Sequence, residues 1–148
     1  MIAPDIARLG VGTALEPWEL PPLTRATLAL YAGGSGDHVP LHIDTDFATR
    51  EAGMDDVIGH GMLTMAYLGR YLLTLAPQRQ IKSFSTRFLG MSRIGDAIGL
   101  SATITRNEIE GMARLVEAEL TAARANGDKL ATGTVRWMFE IEEQDHGD

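Results

Sequence analysis

Residues 61–76 read GMLTMAYLGRYLLTLA, and the rest of the chain can be read outward from this run. Its large apolar residues are spread around nearly the whole circumference of a helix: Met62, Leu63, Met65, Ala66, Leu68, Leu72, Leu73 and Leu75. A helix without a clear polar face is buried inside a protein. Pro77 ends it, because proline has no N–H to continue the hydrogen-bond ladder. The sequence therefore predicts one buried helix from Gly61 to Ala76.

After this helix the apolar pattern changes to a period of two, which is typical of strands with one buried face. The alternation is clear over residues 98–105, 112–122 and 131–141. Turns predicted at Gly95-Asp96, Glu110-Gly111 and Asn126-Gly127-Asp128 separate four consecutive strand segments joined by hairpins. The buried helix must lie on the apolar face of that sheet. The predicted fold class is α+β, an antiparallel sheet wrapped around a central buried helix.

The N-terminal third is more polar and is broken by prolines. A short first strand is predicted over residues 11–18, and a short helix capped near Thr24 over residues 24–32. Residues 33–40 are predicted to be a loop, and residues 44–52 a second short helix ended at Gly53. The polar tail from Glu143 to Asp148 is expected to be frayed and disordered.

Composition is that of one globular domain spanning residues 1–148, with 45% apolar and 22% charged residues. The chain has no cysteine, which excludes disulfides, thiolate catalysis and cysteine zinc sites. A net charge of −7 without a basic cluster argues against nucleic-acid binding. The start lacks the features of a signal peptide, and the most apolar run is too short to span a bilayer comfortably. We therefore expect a cytoplasmic protein that does not bind membranes.

Candidate chemistry lies just before the buried helix. Asp37 and His42 are five positions apart on a segment stiffened by Pro40, and Gly61 opens the helix about twenty residues later. A carboxylate and an imidazole can act as an acid–base pair on one water molecule. The backbone N–H of Gly61, at the positive end of the helix, can bind a developing negative charge. These residues favour an enzyme.

Both segments resemble the signature of the MaoC-like dehydratases, also called hydratase 2 or (R)-specific enoyl-CoA hydratases. The family pattern Ser-Gly-Asp, two variable positions, Pro, a hydrophobic residue and His is matched by Ser35-Gly36-Asp37-His38-Val39-Pro40-Leu41-His42. The family's His-Gly-Met is matched by His60-Gly61-Met62. The resemblance covers about residues 23–137 and implies a single hotdog fold. It also implies that Asp37 and His42 are catalytic and that Gly61 supplies the oxyanion hole.

The activity implied by this resemblance is addition of water to a 2-enoyl thioester, or its removal from an (R)-3-hydroxyacyl thioester, without metal or organic cofactor. The family usually has Asn, which helps to hold the catalytic water and the substrate, where this chain has Val39. A pocket more apolar and more tolerant of bulk is therefore expected beside Asp37. The acyl pocket itself is expected to use residues 54–58. Neither the acyl group nor the carrier, coenzyme A or acyl carrier protein, can be read from the sequence.

Each candidate also has a plainer interpretation. Asp37 could be a turn residue that binds nearby backbone N–H groups, and His42 a hydrogen-bonded, half-buried histidine. His60 is expected to cap or order the helix start, beside the substrate, rather than to catalyse. Thr64 could contact substrate, although a bond to its own i−4 carbonyl is the default. A metal cluster is disfavoured because the spacing of its possible ligands fits no standard site; they are His38, His42, Asp44 and Asp46.

Lys82, Arg87 and Arg93 occur close together and could bind the carrier's phosphates, or could be ordinary solvated charges. Two other functions stay open: an acyl-thioester thioesterase, because hotdog folds also host that chemistry, and the catalytic subunit of a heteromeric dehydratase. Exposed sheet edges and an open acyl channel predict assembly with a second hotdog subunit, as a homodimer or a heteromer.

Overall fold

A five-stranded antiparallel sheet packs against one long helix in the computed structural model, which describes residues 5–141. The strand order in the sheet is β1-β3-β4-β5-β2. The predicted α+β class is therefore confirmed, whereas the predicted fraying of Glu143–Asp148 lies outside the described residues. The strands are β1 (Trp18–Glu19), β2 (Ile81–Phe88), β3 (Ile98–Glu110), β4 (Ala113–Arg124) and β5 (Lys129–Glu140), and the helices are α1 (Arg25–Ser35), α2 (Pro40–Ile43) and α3 (Gly61–Leu75).

Helix α3 is the predicted central helix, and one face of it forms the core with the sheet. Leu68, Leu72 and Leu75 pack in one cluster with sheet residues such as Leu100 and Trp137. The prediction that the helix is buried on every side was wrong. Its opposite face is open to solvent in the single chain and carries the residues Met62, Ala66, Arg70 and Leu73.

Two predicted hairpins are confirmed and one is wrong. Gly111 and Gly127, both with positive φ, close the β3–β4 and β4–β5 turns. The segment from β2 to β3 is a crossover instead, because β2 pairs with β5 at the far edge of the sheet and not with β3. Gly95-Asp96 is still a turn, with Asp96 N–H donating to the Arg93 carbonyl at 3.0 Å. This crossover passes under the start of α3.

The first predicted strand is mostly irregular. Residues 12–20 follow β3 through scattered backbone bonds, such as Leu15 N–H to the Ala102 carbonyl at 2.9 Å, and only Trp18–Glu19 forms a regular strand. Pro17 contributes no N–H, which interrupts the ladder. The segment nevertheless covers one end of the core, where Leu15 and Leu20 are buried.

Helix α1 begins as predicted, with the Thr24 hydroxyl accepting from Thr27 N–H at 3.1 Å, but it continues through Gly33 and Gly34 to Ser35. Glycine inside a helix costs only about 1 kcal/mol relative to alanine, so two glycines do not end it. Gly36, with φ of 77°, ends it in the left-handed conformation that glycine adopts without strain. The predicted loop over residues 33–40 is therefore reduced to four residues between two helices.

Beyond α2, the predicted second helix is a wide single π turn, Phe47–Glu51, followed by Gly53 with φ of 68°. Ala48 of this turn packs with Leu28, Val57 and Leu63 in a smaller apolar cluster beneath the segment before α3. That cluster fixes the N-terminal half of the domain against α3. In the described part of the chain, the helices are all too short or too polar to cross a bilayer.

Candidate active site

Asp37 and His42 are presented by the short connection between α1 and the first turn of α2. The left-handed Gly36 reverses the chain after α1, and Asp37 follows it directly. Pro40 occupies the first turn of α2, where its missing N–H has no helical partner to lose, and His42 lies on the same turn. Asp37 and His42 are both half-buried. The local sequence thus sets the two side chains on one rigid bend.

The bend brings Asp37 and His42 together with His60, the residue just before α3. One polar side-chain atom from each of the three lies within 4.8 Å of the others. The imidazoles of His42 and His60 are stacked, with ring centroids 3.9 Å apart and an angle of 26° between the planes. A carboxylate and two imidazoles therefore form a compact cluster at the N-terminus of the central helix.

The tautomer of His42 follows from its hydrogen bond to the backbone. Its Nδ1 lies 2.8 Å from the Ile58 carbonyl oxygen, and since a carbonyl only accepts, Nδ1 carries the proton. In the neutral ring, Nε2 then bears a free lone pair. His42 is accordingly set to accept a proton at Nε2 while the Ile58 carbonyl holds the other side of the ring.

His60 is the most deeply buried polar residue of the cluster, with 1% of its surface exposed. Its Nε2–H donates to the Asp37 backbone carbonyl at 3.1 Å, and its Nδ1 is buried without a partner among residues 5–141. It occupies the cap position of α3, but its side chain caps no backbone N–H of that helix. Of the two roles predicted for His60, to cap or to order the helix start, capping was therefore wrong, because the ring turns toward the Asp37 bend.

Burial holds the pKa of His60 below its ordinary value. The bond to the Asp37 carbonyl and the Asp37 charge act in the opposite direction, whereas the nearby His42 lowers the pKa further. An unfolded histidine binds its proton near pH 6.5, and folded His60 does so only at lower pH. Between those two values the unfolded chain binds more protons, so His60 makes stability fall as the pH falls.

We therefore expect the melting temperature to drop more between about pH 7.5 and pH 5.5 in the wild type than in His60→Gln, since glutamine has no proton to take up in that range. Thermal unfolding at a series of pH values measures this difference. His38→Gln is the matched control, because His38 is exposed and its replacement should leave the wild-type slope intact. Equal slopes in wild type and His60→Gln would contradict the buried neutral state of His60.

Gly61 is the first residue of α3, so its N–H has no acceptor within the helix. It is exposed in the single chain, and the ring of Phe88 lies beside it, 3.6 Å from where a Cβ would be. A ligand oxygen can therefore approach the backbone here, at the positive end of a helix of fifteen residues. Thr64, one turn later, is buried.

The three clustered side chains do not fit a zinc ion. Zinc needs ring nitrogens aimed at one point about 2.0–2.1 Å away. The rings of His42 and His60 are stacked, so their nitrogens do not converge on one point between them. His42 Nδ1 and His60 Nε2 are also engaged by the carbonyls of Ile58 and Asp37. The cluster considered from sequence is not assembled either: His38 is exposed, and a carboxylate oxygen of Asp44 accepts from Phe47 N–H.

The structure does not bring Lys82, Arg87 and Arg93 together. Lys82 and Arg87 lie near opposite ends of β2, which at about 3.3 Å per residue places them well apart. Arg93 lies in the crossover, where its backbone pairs with Ile58 and its guanidinium is 3.6 Å from a carboxylate oxygen of Asp55. Of the three, Arg93 is the one whose backbone pairs with Ile58, the residue that holds His42.

Sequence reasoning missed several groups that shape the site. Ile58 acts through its carbonyl, which no residue type reveals. Tyr31 of α1 meets the His60 ring edge-on, with centroids 4.9 Å apart. Gly59 N–H donates to the Ser92 carbonyl at 2.7 Å, and a Cβ at Gly59 would collide with the Ser92 hydroxyl, so glycine is needed there. Gly59 itself, just before α3, was the one sequence signal of this close approach.

Val39 lies half-exposed directly before Pro40, on the same bend as the cluster. Its backbone N–H is 3.4 Å from a carboxylate oxygen of Asp37, which is a long and weak hydrogen bond. The turn interaction considered from sequence for Asp37 is thus present but weak. Most of the hydrogen-bonding capacity of the Asp37 carboxylate stays available to a ligand or a water molecule.

The sequence and the fold of this chain were both compared with those of known proteins. The profile of the MaoC-like domain matches residues 10–126, which include both motifs. No significant match was found among curated proteins. Among solved structures, the R-hydratase PhaJ1 from Pseudomonas aeruginosa is 22% identical, with a TM-score of 0.77 over 93% of this chain and 86% of that chain.

Two further solved structures share the fold. The (R)-hydratase from A. caviae is 22% identical with a TM-score of 0.73, over 87% of this chain and 96% of that chain. A chain of the ChsH1–ChsH2 complex from Mycobacterium tuberculosis is 20% identical with a TM-score of 0.73, over 88% of this chain and 98% of that chain. With a matching profile over more than half of its length and this fold, the chain belongs to the MaoC-like domain family of hotdog proteins.

Proposed function

We propose that this protein is a hydro-lyase that adds water to a 2-enoyl thioester or removes it from an (R)-3-hydroxyacyl thioester. The observation that carries the proposal is the assembly of Asp37 and His42 at the N-terminus of α3, beside the free N–H of Gly61. Hydration needs an acid–base pair at the double bond of the substrate and an anion site at its thioester oxygen, which are only a few atoms apart. The support from relatives is that two proteins with this fold are called (R)-hydratases.

In the hydration direction, the Asp37 carboxylate and His42 Nε2 hold one water molecule between them. As its oxygen bonds to Cβ of the substrate, one water proton passes to His42 Nε2. The π electrons of the double bond move toward the thioester, and the pair then returns a proton to Cα. Gly61 N–H donates to the thioester oxygen while it carries the negative charge of the enolate. Dehydration is the same sequence in reverse, and no cofactor takes part.

For the carrier, Arg93 is the best placed of the three predicted cations. Its backbone partner is Ile58, whose carbonyl holds His42, and a shallow cavity of about 280 Å³ lies between Arg93 and residues 53–58. Carrier phosphates at Arg93 would displace Asp55 from its exposed ion pair at little cost, since such pairs contribute about 0–1 kcal/mol. Lys82 lies near the other end of β2, and Arg87 precedes Phe88 but faces the opposite side of the strand, so both are weaker candidates.

The direct test is a panel of 2-enoyl thioesters of increasing chain length and bulk, on coenzyme A and on acyl carrier protein. A hydratase removes the enoyl absorbance without releasing thiol, whereas a thioesterase releases free thiol. Thiol release at a rate that matches substrate loss would replace our proposal by the thioesterase alternative. The same panel identifies the acyl group and the carrier.

Val39 should influence which acyl group is preferred. In Val39→Asn an asparagine could bind water beside Asp37. We therefore expect this variant to raise kcat/KM for short linear substrates relative to bulky ones, by about 10-fold or less. Val11→Asn is the matched control, because Val11 is also an exposed valine but belongs to the segment before β1 rather than to the Asp37 bend. If Val39→Asn leaves the preference unchanged, Val39 does not face the substrate.

We also propose that the protein works as a dimer, either with itself or as the catalytic subunit beside a second hotdog chain. Apolar side chains next to Gly61 are between 45 and 52% exposed in the single chain, namely Met62, Phe88, Leu89 and Met91. A contiguous apolar patch of this kind marks an interaction surface. A partner subunit bound to this patch would lie beside Gly61, the proposed oxyanion donor.

Light scattering on the eluting protein tests this assembly. We expect a mass near twice the 16.0 kDa of one chain, and a shift toward monomer in Met91→Glu, which puts a charge into the patch. Leu30→Glu is the control, since Leu30 is exposed on α1, away from this patch. A monomer of 16 kDa that hydrates substrate at full rate would contradict the proposal.

A further inference from the structure

His60 makes three separate contacts that converge on the acid–base pair. Its ring stacks on His42, its Nε2–H donates to the Asp37 carbonyl, and its edge meets Tyr31. It is a histidine that is 1% exposed, at a helix start where a serine or aspartate would cap better. Neither helix capping nor contact with solvent explains why a histidine occupies position 60.

The stack and one carbonyl together fix the His42 ring. The Ile58 carbonyl holds Nδ1 in the ring plane, which alone leaves the ring free to tilt about that bond. The face of His60, 3.9 Å away and nearly parallel, removes that freedom. Both constraints are needed to aim Nε2 at one point, and misplacement of a reacting group by about 1 Å can cost on the order of 100-fold in rate.

The Asp37 bend is held both from within and from the side of His60. Within the bend, Asp37 N–H donates to the Ser35 hydroxyl at 3.2 Å, and Val39 N–H reaches the Asp37 carboxylate at 3.4 Å. The bond from His60 comes from the start of α3 and from a buried donor. It ties the position of Asp37 to the helix that presents Gly61.

His60 also keeps the charge of the cluster on one ring. A second proton on His60 would sit on the buried Nδ1, which has no acceptor among the described residues. It would also repel a proton on His42 through the stack. The groups that face His60 are Asp37 on the bend, His42 on α2 and Tyr31 on α1, so no second carboxylate side chain among them stabilises a charged His60.

We propose that His60 is a positioning residue for the pair: a neutral imidazole that clamps the His42 ring by stacking and the Asp37 backbone by a hydrogen bond. The inference rests on the hydratase function proposed above for the pair, although its structural part can be measured without any substrate. His60 itself touches neither the water nor the thioester in this scheme.

Two variants separate the two halves of the clamp. His60→Phe keeps an aromatic face for His42 but loses the donor to the Asp37 carbonyl, and His60→Gln keeps a donor but loses the face. We expect each to lower kcat by roughly 10- to 100-fold with a much smaller change in KM. His38→Gln, at an exposed histidine beside the bend, should keep the wild-type kcat.

The readout that a merely structural role would not move is the mobility of the His42 ring, observed by NMR relaxation of its ring atoms. The proton should stay on Nδ1 in all three proteins, because the Ile58 carbonyl holds it there. The ring should be rigid in wild type and His60→Phe and mobile in His60→Gln, which lacks the stacked face. Full kcat in both folded variants, or a His42 ring in His60→Gln as rigid as that of the wild type, would overturn the proposal.

The wild-type protein supplies a test that does not depend on whether the variants fold. At about pH 6.5, where an ordinary histidine is half protonated, the ¹⁵N signals of His60 should be those of a neutral ring with the proton on Nε2. A charged His60 at that pH overturns the clamp. If no enoyl thioester is hydrated but the NMR results are as expected, the proposed hydratase function is wrong and the positioning of His42 and Asp37 by His60 is still supported.

Discussion

Asp37→Asn and His42→Ala should each lower the hydration rate by roughly 10²- to 10⁴-fold, and the double mutant should be little worse than either single mutant. In the proposed mechanism both side chains act on one water molecule, so the loss of either one already stops the proton transfer in which the other takes part. Residues that act as a unit show such strong non-additivity. Steady-state kinetics of the two singles and the double on the best enoyl thioester measures it.

The structure makes Asp37→Asn a clean change, because the amide oxygen can still accept from Val39 N–H and keep the bend. Asp44→Asn is the matched control: Asp44 likewise accepts a backbone N–H, from Phe47 at 3.1 Å, but it lies outside the cluster. Losses that multiply in the double mutant would show that one of the pair has only a structural role.

Gly61→Val should abolish most activity in a folded protein. The valine side chain would occupy the approach to the Gly61 N–H, and loss of one oxyanion donor typically costs about 10²- to 10³-fold in kcat, or about 3 kcal/mol of transition-state stabilisation. The helix should survive, because a Cβ at this position meets the Phe88 ring at an ordinary 3.6 Å, and valine is no worse a helix former than glycine.

Gly69→Val is the control for this change. Gly69 is in the same helix, and a Cβ there meets a phenylalanine of β2 in the same way, with Phe84 at 3.7 Å. It is two turns from the cluster, so its substitution tests helix packing without filling the site. If Gly61→Val keeps both its melting temperature and its rate, the anion site lies elsewhere and the hydratase mechanism loses one of its three groups.

The fold was largely predictable because its signals are periodic. The two-residue alternation of β3, β4 and β5 reflects burial directly, and glycine turns separate the strands. The apolar run of α3 identifies the helix that packs on the sheet, although its outer face is exposed in the single chain. The position of β2 was not predictable in the same way. Pairing across the sheet depends on which strand edge remains free after the others have paired, and the pattern within β2 carries no information about its partner.

The site was predictable in its residues and not in its contacts. Asp37, His42 and Gly61 could be selected by their chemistry and spacing, and the structure brings Asp37 and His42 together with His60, the residue before Gly61. The side-chain cap predicted for His60 was wrong, since its cap position in the sequence does not show that its ring turns away from the helix. The dispersal of Lys82, Arg87 and Arg93 was equally hidden, because residues close in sequence separate quickly along an extended strand.

The crossed strand order has a consequence for how the chain reaches its native state. During synthesis α3 and β2 are complete before β5 exists, yet Phe84 of β2 pairs with Val135 of β5. The meander β3–β4–β5 closes through local hairpins, whereas β2 can dock only after a long loop has closed, which costs chain entropy before any contact is gained. The part of the apolar face of α3 that packs against β5 therefore stays uncovered until the last strand is made. We expect this late closure to limit the folding rate, and the nascent chain to be most prone to aggregation just before it.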